Sequence, residues 1–276
     1  PEGLDADILS INENATVNHI DNVRRIIAGY LSDAFGYSQG DADLIAELTT
    51  IYNAVYRGNM EFFDSRYKRV VFEYLSPSRA GISTSYRDWP GGTQLVIPLS
   101  TGAEPGDLDA VSPLQLSDPG VIEDLRQRRD MGIETRKEMI AFIERVIEER
   151  EAEIAEEREA IEEERQQIEE RREEIEEERA QIEEELATEE ALEEEPEEEA
   201  PREVAPEPEE EAPEEEATPE ERITALEEDE EALREQEAEL QEREEALEEE
   251  EEEVEELTER AQELYEETSE DQERLI

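Results

Sequence analysis

The chain reads as α+β: a small N-terminal domain of three helices and a β-hairpin, followed by long acidic helices with a proline-rich break. Three observations predict this. Residues 1–117 hold seven of the eight Tyr, four of the five Phe and the only Trp, so the apolar core belongs there. The same stretch has 16 acids and 8 bases, whereas the other 159 residues have 71 and 18. In that second part, single apolar residues return every seven positions.

Within the first part, Val23, Ile26, Ile27, Tyr30, Leu31 and Ala34 recur at three- and four-residue spacing and give one helix face. Asn18 or Asp21 suits its start, and Gly36 its end. Leu44, Ile45, Leu48, Ile51, Tyr52, Val55 and Tyr56 predict a second helix, opened near Asp41 and closed at Gly58-Asn59. A third runs from Phe62 to Leu75 and stops at Ser76-Pro77. The period then changes. Residues 80–87 and 93–99 favour strands, and Asp88-Trp89-Pro90-Gly91-Gly92 suits a tight reversal between them. Domain 1 is thus expected over residues 1–100, with residues 101–120, rich in Pro and Gly, as a linker of little regular structure.

From 121 to 192 one long helix is expected. Its repeat approximates I-x-E-E-R-x-x, with Ile147, Ile154, Ile161, Ile168, Ile175 and Ile182 at heptad spacing. A second helix over 220–276 carries Leu226, Leu233, Leu240, Leu247 and Val254 in the same way. Between them, residues 193–219 are dense in Pro and Glu and predict a disordered, self-repelling tether. One apolar position per heptad is half of what a two-stranded seam normally offers. Either Arg or Glu occupies the second seam position in both possible registers. A weak coiled coil and a solvated single helix therefore both remain open, as does an antiparallel fold-back across the tether.

Composition excludes several functions. With 87 acids against 26 bases the net charge is −61, so neither nucleic acid nor an anionic membrane surface is an expected partner. No run of about 18 apolar residues exists to span a bilayer. There is no cysteine, hence no disulfide, thiol nucleophile or thiolate metal site. His19, the only histidine, stands where it caps the first helix or pairs with Asp21. Gly81-x-Ser83-x-Ser85 lacks the leading acid of a metal-adhesion motif, and Asp41-x-Asp43 and Asp107-x-Asp109 lack the rest of a calcium loop. No catalytic residue, cofactor, metal site or small-molecule substrate is evident. Tyr86 and Trp89, beside the Pro-Gly-Gly turn, are the candidate partner contacts.

Three strings carry a family resemblance: DADILSINENATVNHIDNVRRIIAGYL (5–31), TIYNAVYRGN (50–59) and AGISTSYRDWPG (80–91). Over roughly residues 4–100 the chain resembles the spirochaetal 83/100-kilodalton antigen family. That resemblance implies a cell-envelope or periplasmic protein with a cleaved signal peptide, a small N-terminal domain, a charged helical middle and a further C-terminal domain. It supplies no catalytic residues. The expected function is a non-enzymatic envelope protein, a binding head on an acidic helical stalk, partnered by another envelope protein. The alternative is a filament or scaffold that self-associates through its helices.

Overall fold

The computed structural model describes residues 3–12, 14, 15, 17, 19–83, 92–128, 130–193 and 218–275. The chain divides into two compact units: residues 1–153 together with 251–276, and residues 154–250.

Unit 1 opens with β1 (Ala6–Ile11), followed by α1 (Ile20–Ala34) and α2 (Gln39–Val55). His19 caps α1: its Nδ1 accepts from the Asp21 amide at 3.2 Å, satisfying one of the free N–H groups of the first turn. Val23, Ile27, Ala28 and Leu31 form the buried face of α1. Helix α2 starts at the Ser38 cap and is buried on almost every side, Thr49, Thr50 and Asn53 included, which makes it the central helix. The third predicted helix is two: α3 (Met60–Arg66) and α4 (Arg69–Tyr74). Between them Tyr67 is extended and bridges Leu4. The Leu4 amide donates to the Arg66 carbonyl and the Lys68 amide to the Leu4 carbonyl, each at 2.9 Å. The Tyr67 hydroxyl meets that of Tyr52 at 2.7 Å in the core. Pairing to a strand end thus satisfies the backbone that helix continuation would have satisfied.

The sheet has two strands, β1 and β2 (Thr93–Pro98), antiparallel, with Ala6 opposite Pro98 and Ile11 opposite Thr93. The expected hairpin is therefore revised: the predicted second strand is β2, but its ladder partner is the N-terminal segment. Of residues 80–87, Ala80 and Gly81 bridge only Gln94, and 84–91 lie outside the described residues. The opposite edge of β2 is filled from within. The Asn53 side chain donates to the Val96 carbonyl at 2.7 Å and accepts from the Val96 amide at 2.8 Å, standing in for a third strand. Gly81 donates to Gln94 and Ser112 to Pro98 on the same edge. Gly81 holds φ +85°, and any Cβ there would strike the Asn53 carbonyl.

The stretch 101–120 is not the expected structureless linker. It contains α5 (Pro113–Leu116) and the start of α6 (Pro119–Gln127), and it buries Ala110, Val111 and Leu116 in the core. Ser112 and Asp118 cap the two short helices, each followed by a proline that suits a first helical turn. The long helix begins only at α7 (Asp130–Glu193). Its first turns belong to unit 1, where Met139, Ile140, Phe142, Ile143 and Val146 join the core. The last turns of α8 (Pro219–Leu275) join the same core through Leu257, Ala261 and Leu264.

Unit 2 contains the remainder of α7 and α8, and most of the expected tether, residues 194–217, lies outside the described residues. Ion pairs fix the direction of its helices. Arg165 meets Glu244 at 2.6 Å, Arg172 meets Glu237 at 2.6 Å, and Arg179 meets Glu230 at 3.0 Å. Each step of seven up α7 is a step of seven down α8. The two helical segments are antiparallel neighbours.

Candidate interaction surface

Of the residues singled out from the sequence, Tyr86 and Trp89 lie outside the described residues. The heptad residues are placed. In unit 2, Ile154, Ile161, Ile168, Ile175 and Ile182 on α7 are buried, as are Leu226, Leu233, Leu240 and Leu247 on α8. Ile168 lines one shallow cleft with Leu240 and another with both Leu233 and Leu240. One apolar residue per heptad suffices here because each side chain is shared by two across the pair. Ile147 and Val254 fall in unit 1, Ile147 packed half-buried against the core.

Arginines flank the seam. Arg243 reaches Glu157 at 2.8 Å and Glu164 at 2.6 Å, and Arg171 reaches Asp229 at 2.5 Å. These pairs are largely exposed, so each contributes little singly, roughly 0–1 kcal/mol. They decide direction and register instead, because a shifted pairing places Glu against Glu. Unit 2 has 48 acids and 9 bases.

In unit 1 a second set of charges joins distant parts of the chain. Asp271 on α8 accepts from Arg126 on α6 at 3.0 Å and from Arg136 on α7 at 3.1 Å. Arg136 is only 1% exposed. Desolvation pushes the Asp271 carboxyl upward, but hydrogen bonds from Arg126 and Arg136 outweigh it and hold it below the usual carboxylate range. Arg260 on α8 donates to the Ser117 carbonyl. Arg145 on α7 clamps Asp41 at 2.5 Å, and Arg150 clamps Asp109 at 2.9 Å. Hydrogen bonds from Arg145, against partial desolvation, lower the Asp41 pKa. Sequence reasoning missed this clasp. Its one legible signal is the denser apolar spacing of Met139, Phe142 and Val146 just ahead of the I-x-E-E-R repeat.

The acidic pairs considered as metal motifs serve other ends. Asp41 is held by Ser38 and Arg145, Asp43 accepts from Gln39 at 2.9 Å, and Asp107 caps a turn at the Glu104 amide. No cluster of three or more His, Cys, Asp or Glu suited to a metal occurs among the described residues. Ser83 precedes the undescribed stretch that contains Ser85.

What remains is a shallow groove of about 740 Å³ beside β1, lined by Leu9, Ile11, Val17, Ile26 and Arg79 among others. Ile26 is 44% exposed at its rim. On α4, Val70 and Tyr74 are exposed at four-residue spacing and so share one helix face. The six large apolar side chains that stand exposed among the described residues are Ile26, Val55, Val70, Tyr74, Met131 and Tyr265, and all belong to unit 1.

No described helix is long and apolar enough to cross a membrane. No curated protein and no solved structure matches the chain. The family model described as Borrelia P83/100 protein matches residues 1–276, the whole chain, which therefore belongs to that family.

Proposed function

We propose that the chain is a non-enzymatic interaction protein of the cell envelope, in which unit 1 binds a partner and unit 2 is an antiparallel coiled coil serving as an acidic spacer. One observation carries this reading: the heptad residues are already buried by their own chain, whereas the exposed large apolar residues belong to unit 1. A filament assembled through the helices would need that seam a second time. Family membership supports the envelope assignment, with the periplasm as the favoured compartment.

The groove beside β1 and the segment containing Tyr86 and Trp89 are the surfaces assigned to the partner. The test is co-sedimentation of the full chain with envelope fractions at fixed ionic strength. Ile26→Glu or Trp89→Ala is expected to lower the bound fraction at least severalfold without changing helicity. Ile175→Ala, inside unit 2, is expected to leave binding intact. Loss with Ile175→Ala and retention with the unit 1 variants would place the contacts on the helices.

A further inference from the structure

The apolar and the charged contacts of unit 2 share one period, and this leaves its register open in one way. The ion pairs exclude most shifts of α8 along α7, but not a slip of one whole heptad. If each α8 residue took the place of the one seven before it, Ile would still meet Leu, Arg172 would meet Glu244 and Arg179 would meet Glu237. In the opposite slip Arg165 would meet Glu237 and Arg172 would meet Glu230. The remaining pairs resist only weakly. Arg243 keeps one of its two glutamates, Glu164 or Glu157, and Arg171 gives up Asp229. All are largely exposed, and exposed pairs discriminate little.

The period breaks in unit 1. On α8 the seam has a second position, three residues after the first in each heptad. In unit 2 it holds Asp229, Gln236, Arg243 and Glu250. In unit 1 it holds Leu257 and Leu264, at 4% and 0% exposure, and then Asp271. A slip in one direction puts Asp271 where Leu264 sits, and the other puts Glu250 where Leu257 sits. Either one buries a carboxylate among apolar side chains, which costs far more than an exposed ion pair contributes. Only in the observed register do both leucines reach the core while Asp271 meets Arg126 and Arg136. Arg260 acts the same way: it donates to the Ser117 carbonyl, where a slip would bring Glu267 or Glu253. Helices α7 and α8 each pass unbroken from unit 1 into unit 2, so a register fixed in one is inherited by the other.

We infer that unit 1 is the register key of the helical pair. Leu257, Arg260, Leu264 and Asp271 select one alignment of α7 and α8, and unit 2 follows it, free by itself to slide in steps of seven. The key is a conformational device, because moving it by one heptad moves every pairing in unit 2 by about 10 Å, seven residues at about 1.5 Å each. The inference rests on the antiparallel pairing and not on what unit 1 binds.

The experiment transposes the key in the full chain. In the double variant Glu267→Arg/Asp271→Leu the new arginine can take the place of Arg260 and the new leucine that of Leu264. In the original alignment the same variant leaves Arg136 buried without its carboxylate. Spin labels at Arg172→Cys/Glu237→Cys and, separately, at Arg172→Cys/Glu244→Cys are read by double electron–electron resonance in excess unlabelled chain of the same sequence. Without the transposition the first pair should be the shorter. With it, the second should be. If the first pair stays the shorter, or neither gives a defined short distance, the inference is overturned. Deleting residues 161–167, one repeat of α7 in unit 2, leaves the key intact and tests the sliding alone. The helix beyond the deletion should re-pair seven places along, bringing Arg179→Cys and Glu237→Cys to the short distance. A short distance kept between Arg179→Cys and Glu230→Cys, or loss of pairing beyond the deletion, would show that individual ion pairs set the register, and would equally overturn the inference.

Discussion

Arg136 donates to Asp271 at 3.1 Å although 135 residues separate them in sequence. The guanidinium is buried against the start of α7, where it also donates to the Gly132 carbonyl at 3.3 Å. A Cβ at Gly132 would collide with the Leu125 carbonyl, so this close approach of α6 and α7 requires glycine. The pair ties the last turns of α8 to the first turns of α7 within unit 1.

Removing the carboxylate strands a buried cation. Asp271→Ala is expected to destabilise unit 1 by about 3 kcal/mol, within the range for breaking a buried pair from one side. Urea unfolding followed by near-ultraviolet circular dichroism checks this, because every aromatic residue lies in unit 1. A loss under about 0.5 kcal/mol would mean that water already solvates Arg136.

Acid should act oppositely on the two units. The Asp271 and Asp41 carboxyls are both held below their ordinary range in the folded state. A depressed folded pKa contributes stability that is complete above the unfolded value, near 4, and is lost as pH falls through the folded value. Unit 1 should therefore loosen below about pH 4. In unit 2, with 48 acids and 9 bases, protonation relieves more repulsion than it removes attraction. The expectation is a near-ultraviolet signal that falls on acidification while far-ultraviolet helicity holds or rises. A parallel fall of both signals would contradict it.

Salt separates repulsion from pairing in unit 2. If the cross-helix Arg–Glu pairs dominated, helicity would weaken as ionic strength rises. The excess of acid predicts the reverse, with the thermal midpoint of the far-ultraviolet signal rising between about 10 mM and 0.5 M salt as the Debye length shortens from about 30 Å to a few. A falling midpoint would show that attraction outweighs repulsion.

Asn53 is a packing residue with a backbone role. Asn53→Leu fills similar volume but leaves the Val96 amide and carbonyl buried and unmet, at a cost of about 2–4 kcal/mol by the same urea measurement. A neutral result would show that the edge of β2 re-pairs elsewhere.

Helices α1, α2, α7 and α8 were legible in the sequence because their cause is local: apolar spacing, caps and proline stops. The heptad positions were legible for the same reason, and all nine of those in unit 2 are buried. What those positions pack against was not legible, since an apolar stripe of one residue per heptad fits a dimer, a fold-back or a lone helix equally. Strand β1 escaped notice because its six residues contain only three large aliphatic side chains, interrupted by Asp7 and Ser10. The split at Tyr67 and the packing of 110–127 depend on partners far away in sequence: Leu4 and Tyr52 for the first, α2 and α8 for the second. Tyr56, for instance, donates its hydroxyl to Asp118, a link between α2 and α6 that no window of sequence contains.

The central claim is that α7 and α8 pair antiparallel within one chain, sealing the seam. It is tested most directly by spin labels at Arg172→Cys and Glu237→Cys, read by double electron–electron resonance in the presence of excess unlabelled chain. The predicted result is one short distance, consistent with helix axes about 8–10 Å apart, that survives dilution. A distance that vanishes on dilution would mean that the helices pair between chains, and a long, broad one that they do not pair.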